Sequence, residues 1–151
     1  MAEFRGLHVV FRRSPEDGCP HAPTTPIGSL LPTAGAYQLF SHVAKNGERV
    51  LQATVAGDAE NVRAYAATNN TGTSLVVFNL SPTESKSVCV TLSHQTTSPS
   101  VSLQRYDKAI YDQSQSNVWA EPVSADLRAQ DLPLVLTLTP WSMNVMKITQ
   151  G

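Results

Sequence analysis

Six consecutive residues, Leu75-Val76-Val77-Phe78-Asn79-Leu80, include one polar member and are rich in β-branched and aromatic side chains. The turn cluster Asn69-Asn70-Thr71-Gly72 precedes them, and Ser81-Pro82-Thr83-Glu84 follows. An apolar run this short between such breakers reads as a strand buried on both faces, and therefore a central one. A helix of that length does not stand alone, and Val and Phe lose rotamer freedom in helices. The rest of the chain has to supply strands to pair with it.

Several runs fit that role. Val62, Ala64 and Ala66 share one face of a strand, with Tyr65 on the other. Residues 49–56 alternate weakly up to Gly57-Asp58. In 87–92, Val88, Val90 and Leu92 point one way, which leaves Cys89 facing away from the core. Val101 and Leu103 mark another strand, running to Arg105-Tyr106-Asp107. Residues 133–139 and 141–148 read as two strands around a break at Pro140, with Trp141 as a packing residue. Residues 107–131 are polar and read as irregular. About seven to nine short strands at this spacing predict a mainly β fold, an antiparallel β-sandwich.

The start of the chain differs. Leu7-His8-Val9-Val10-Phe11 reads as a short strand, and five prolines between Pro15 and Pro32 make the next stretch an extended loop. One amphipathic helix is predicted over about 33–45. Thr33 is placed to cap it, Ala36, Leu39, Phe40, Val43 and Ala44 form its stripe, and Asn46-Gly47 stops it.

At 151 residues the chain suits one domain with a core of its own, and its net charge of −1 gives no electrostatic case for nucleic acid or an anionic membrane. No run approaches the ~20 apolar residues of a membrane span. Met1-Ala2-Glu3-Phe4-Arg5 lacks the apolar stretch of a secretory signal. Cys19 and Cys89 are compatible with a bridge or with two free thiols.

Chemistry leaves little local trace. Cys19-Pro20-His21 with His8 is the one cluster of metal-ligand types, and it lacks the two paired sets of a structural zinc site. No metal or cofactor is expected. His42 and His94 have no marked nucleophile beside them. Asp107, Asp112, Glu121, Asp126 and Asp131 fall in the polar region, but a retaining glycosidase holds two carboxyls ~5–5.5 Å apart on rigid neighbours. Solvated loop acids are the expectation, with no catalytic residue. Tyr111 and Trp119 either stack on a sugar ring or cap an open end of the sandwich. Asn69-Asn70-Thr71 and Asn79-Leu80-Ser81 are N-glycosylation sequons, and only Asn69, in a turn, is a candidate.

The order of elements resembles the last part of (β/α)8-barrel glycoside hydrolases that end in a β-sandwich, of the arabinofuranosidase, β-xylosidase and β-glucuronidase types. Pro32-Thr33-Ala34-Gly35-Ala36-Tyr37-Gln38-Leu39-Phe40-Ser41 is similar to their final barrel helix. Val62-Arg63-Ala64-Tyr65-Ala66 with Leu75 through Pro82 is similar to their paired sandwich strands. Leu132-Pro133-Leu134 and Leu138-Thr139-Pro140-Trp141-Ser142 resemble their closing segment. The resemblance implies that residues 1–47 derive from a barrel, with 7–11 its last strand, and that 48–151 form the sandwich domain. The catalytic glutamates of such enzymes lie on earlier barrel strands, and Glu3, Glu16 and Glu48 match neither motif.

The expected function is therefore a non-catalytic accessory domain buttressing a barrel. The alternative is an independent carbohydrate-binding module using loop aromatics. Leu39, Phe40 and Val43 are the candidates for packing on a barrel partner or on a second copy. Secretion is implied only through the resemblance.

Overall fold

The computed structural model describes residues 34–43, 48–93, 100–114, 122–127 and 133–149. The 7–11 run, the proline-rich loop, the Thr33 cap, the Asn46-Gly47 stop, Cys19 and Trp119 lie outside these residues.

The described chain is mainly β, with helices α1 (Ala34–Ser41) and α2 (Lys108–Ser114). Its strands are β1 (Arg49–Leu51), β2 (Val62–Asn69), β3 (Gly72–Asn79), β4 (Lys86–Val90), β5 (Ser100–Tyr106), β6 (Val123–Leu127), β7 (Leu134–Leu138) and β8 (Ser142–Thr149). Every pairing is antiparallel. Six strands form one sheet in the order β1-β2-β3-β8-β5-β6, and β4 pairs with β7 in a second.

The apolar run at 75–80 becomes β3, flanked by β2 and β8, and its residues are buried on both faces as an interior strand requires. Leu75 and Val77 point between the sheets, where they meet Val62, Leu136, Leu138 and Met146. Val76 points the other way, into a second apolar layer with Leu39, Val43, Met143 and Val145. Fully burying one such side chain contributes ~1.5–3 kcal/mol, so the two layers together define which strands are central.

Helix α1 closes that second layer. Gly35 and Leu39 are buried on its inner face, and Val43, in the turn that follows, continues their i, i+4, i+8 spacing. Gly35 sits so close to the ring of Tyr106 that a Cβ there would run into it. The absence of a side chain lets the helix approach the sheet. Phe40, expected within the stripe, is instead 43% exposed, because it falls one position beyond Leu39 and so about 100° round the helix.

Three further expectations change. The 107–131 region, read as irregular, contains α2 and β6. Asp107 caps α2, its Oδ1 accepting from the Ile110 N–H at 3.2 Å, and only Ile110 and Ser114 of the helix are buried, too few to show as a periodic stripe. The 49–56 strand pairs only as far as Leu51, although burial continues to alternate beyond it. Trp141, expected to pack, is 52% exposed with φ 47°, the left-handed residue of the turn between β7 and β8.

Candidate functional site

Of the acids in the polar region, Asp107 and Asp112 have described side chains. Asp107 is buried and fully engaged: one oxygen caps α2, and the other lies 3.1 Å from Arg105 Nε and accepts from Thr139 Oγ1 at 3.2 Å. Asp112 pairs with Lys108 one helical turn away at 2.6 Å, in solvent. One carboxylate therefore anchors a helix and the other decorates it. Asp126 lies on β6, opposite Ser102, and Glu121 and Asp131 lie outside the described residues.

Tyr111 is on α2 and 37% exposed. Trp119, its expected companion, lies outside the described residues. Cys89 is an exposed free thiol on the outer side of β4.

Asn69 occupies the β2–β3 turn. Its Oδ1 accepts from Thr71 N–H at 2.8 Å, Thr71 Oγ1 at 2.7 Å and Gly72 N–H at 3.2 Å, while its Nδ2 donates to Glu48 at 3.0 Å. These bonds make an Asx-type turn that sets the hairpin register. At Gly72 a Cβ would strike the Ile148 carbonyl, so the turn needs glycine. The other sequon asparagine, Asn79, is fully buried.

That register creates a surface the sequence reading did not assemble. Tyr65 faces Val76, so Phe78 is its diagonal neighbour on the outer face, and the rings meet edge-on at 6.2 Å and 79°. Tyr65 is 55% exposed and Phe78 half-buried. Helix α1 lies over β5 and β8 of the same sheet, and its own Tyr37 and Phe40 are also exposed. The turn signal at Asn69-Gly72 already fixes the pairing from which the aromatic pair follows.

A second feature lies between the sheets: a trough of about 1130 Å³, floored by β2 and β3 and walled by β4 and residues 51–56. Among the described residues no aromatic side chain lines it. At one end Lys86 bridges Asp58 at 2.8 Å and Glu84 at 2.6 Å. The hydrogen bond from Lys86, then that from Asn61, hold the Asp58 carboxyl below its usual range, and Asp58 and Glu84 in turn raise Lys86.

Neither a protein-family model nor a curated protein matches the chain. Solved structures do share the fold. A family 30 endoxylanase from Clostridium papyrosolvens C71 superposes on 82% of this chain and 29% of its own, with a TM-score of 0.64 and 16% identity. The family 30 subfamily 8 xylanase Xyn30A from Clostridium acetobutylicum gives 79% and 28%, with a TM-score of 0.58 and 18% identity. A Paenibacillus polymyxa family 44 xyloglucanase gives 62% and 18%, at 0.51 and 20%. The fold is thus one found within glycoside hydrolases of families 30 and 44, and this chain spans less than a third of each of those proteins.

Proposed function

We propose that the chain is a non-catalytic accessory β-sandwich that buttresses a catalytic barrel in a glycoside hydrolase. The observation that carries this reading is the outer face of the six-stranded sheet. It is apolar enough to hold α1, yet Tyr65 and Phe78 on it stay partly uncovered, as do Tyr37 and Phe40 on the helix. An exposed aromatic pair on a sheet face supports a protein partner, since such rings bring large contact area at low entropy cost. The fold neighbours, in which the matched region is a minor part of a larger hydrolase, agree with that role. The helix-capping bonds of Asp107 and the solvent-exposed Lys108 pair of Asp112 support the non-catalytic reading.

The finer assignment, to an arabinofuranosidase, β-xylosidase or β-glucuronidase type of parent, rests on the Val62–Ala66, 75–82 and 132–142 motifs. In a direct test the chain is mixed with a separately expressed catalytic barrel of a glycoside hydrolase of this type. Co-purification that is lost in Phe40→Asp and Tyr65→Asp is the expected result. Turnover of aryl glycosides by the chain alone, abolished by Asp107→Asn or Asp112→Asn, overturns it. Retention on insoluble polysaccharide that depends on Tyr111 and Trp119 moves the assignment to a carbohydrate-binding module.

A further inference from the structure

The two Asn-x-Ser/Thr sequons of the chain sit in opposite surroundings. Asn69 ends β2 at the β2–β3 turn, where it, Asn70 and Thr71 are all exposed. Three donors hold its Oδ1: the Thr71 N–H, the Thr71 hydroxyl and the Gly72 N–H. With the oxygen fixed on the turn, the amide nitrogen is directed away from it, to Glu48 Oε1 at 3.0 Å. That nitrogen has two hydrogens. One serves the bond to Glu48, so the other can be replaced without the loss of any of these four bonds. Asn79 is the reverse case. It is fully buried, and its Nδ2 lies 2.8, 3.1 and 2.9 Å from the carbonyl oxygens of Glu84, Leu138 and Thr139. Both of its hydrogens are committed, and Pro82 directly follows its sequon.

We infer that Asn69 is an N-glycan attachment site of this chain and that Asn79 is not. In the transfer, Asn69 Nδ2 bonds to the anomeric carbon of an oligosaccharide carried on a lipid pyrophosphate. The bond from that carbon to the phosphate oxygen breaks, the lipid pyrophosphate leaves, and Nδ2 gives up one proton. The modified side chain keeps its carbonyl oxygen and one N–H, which are the groups that the turn and Glu48 use. The hairpin therefore accepts the sugar with its register-setting bonds intact, and the glycan stands in solvent at the tip of the turn. At Asn79 the same reaction breaks hydrogen bonds that join the two sheets. The inference goes beyond the buttressing role and is read on the chain by itself, so its failure leaves that role standing.

In the experiment the full chain is produced in a eukaryotic host behind a cleavable secretory leader, and both secreted and cell-retained protein are collected. Peptide-N-glycosidase converts a glycosylated asparagine to aspartate, and fragment-ion mass spectrometry locates the conversion. The expected result is conversion at position 69 and none at position 79, with a single mobility shift on enzyme treatment. Asn69→Gln and Thr71→Ala should each abolish the shift. Thr71→Ser, which restores the hydroxyl, should keep it. Protein without a glycan at Asn69 overturns the inference. So does a glycan at Asn79, or a shift that persists in Thr71→Ala.

Discussion

Asn79 Nδ2 lies 3.1 Å from the carbonyl oxygen of Leu138, joining the last residue of β3 in one sheet to the last residue of β7 in the other. The same amide nitrogen is 2.9 Å from the Thr139 carbonyl and 2.8 Å from that of Glu84, and its oxygen accepts from Ser81 N–H at 3.0 Å. The polar residue inside the most apolar run of the chain is therefore a clasp between the two sheets at one end.

Replacing Asn79 by leucine keeps the volume and removes the clasp. Buried groups left without partners cost ~1–3 kcal/mol each. A lower urea midpoint with an unchanged slope is the expected outcome. An unmoved midpoint would mean that the sheets are held by apolar packing alone.

Gly35→Ala sets helix propensity against packing. Alanine gains at most ~1 kcal/mol over glycine, the helix-interior value, and Gly35 lies in the first turn; its Cβ would meet the Tyr106 ring, and overpacking costs ~1–3 kcal/mol. Net destabilisation is expected in the parent chain. In a Tyr106→Leu background the same change should become neutral or stabilising. A stabilising effect in both backgrounds would show that α1 does not sit on Tyr106.

Trp141→Gly tests whether that tryptophan packs or merely turns. A buried tryptophan costs ~3–5 kcal/mol when its side chain is removed. At φ 47° and half exposed, it should cost far less, since glycine relieves a left-handed conformation that penalises other residues by ~1–2 kcal/mol. Thermal unfolding within a few degrees of the parent is expected.

Asp58 provides a pH readout. Its folded pKa is depressed, chiefly by the hydrogen bond from Lys86, so the stabilisation is present above the unfolded carboxylate pKa and is lost as pH falls through the lower folded value. An NMR titration of Asp58 should show a midpoint below the ordinary carboxylate range. Lys86→Met should move that midpoint upward. An identical titration in both chains would remove the ion pair from the end of the trough.

Short-range pattern carried much of this fold. Alternation in 62–66, 87–92 and 101–103, the Asn69–Gly72 turn and the run at 75–80 each specify strands through contacts a few residues apart, and those strands are present. The β2–β3 register, and with it the Tyr65–Phe78 pair, follows from the same turn. Helix α2 was not legible, because its stability comes from the Asp107 cap and from burying Ile110, neither of which makes a periodic signal.

Alternation tells that a residue points inward, but not toward which layer. That β7 and β8, adjacent in sequence, separate into different sheets at Pro140 depends on β8 pairing with β3 and β5, some 70 and 40 residues away. The stripe on α1 was readable from its spacing, whereas the sorting of Leu39 inward and Phe40 outward required the sheet it rests on. Strand identity is a property of neighbours along the chain. Layer, partner and the exposure of each aromatic ring are properties of distant segments competing to bury the same apolar surface, and those are resolved only when the sheets close on one another.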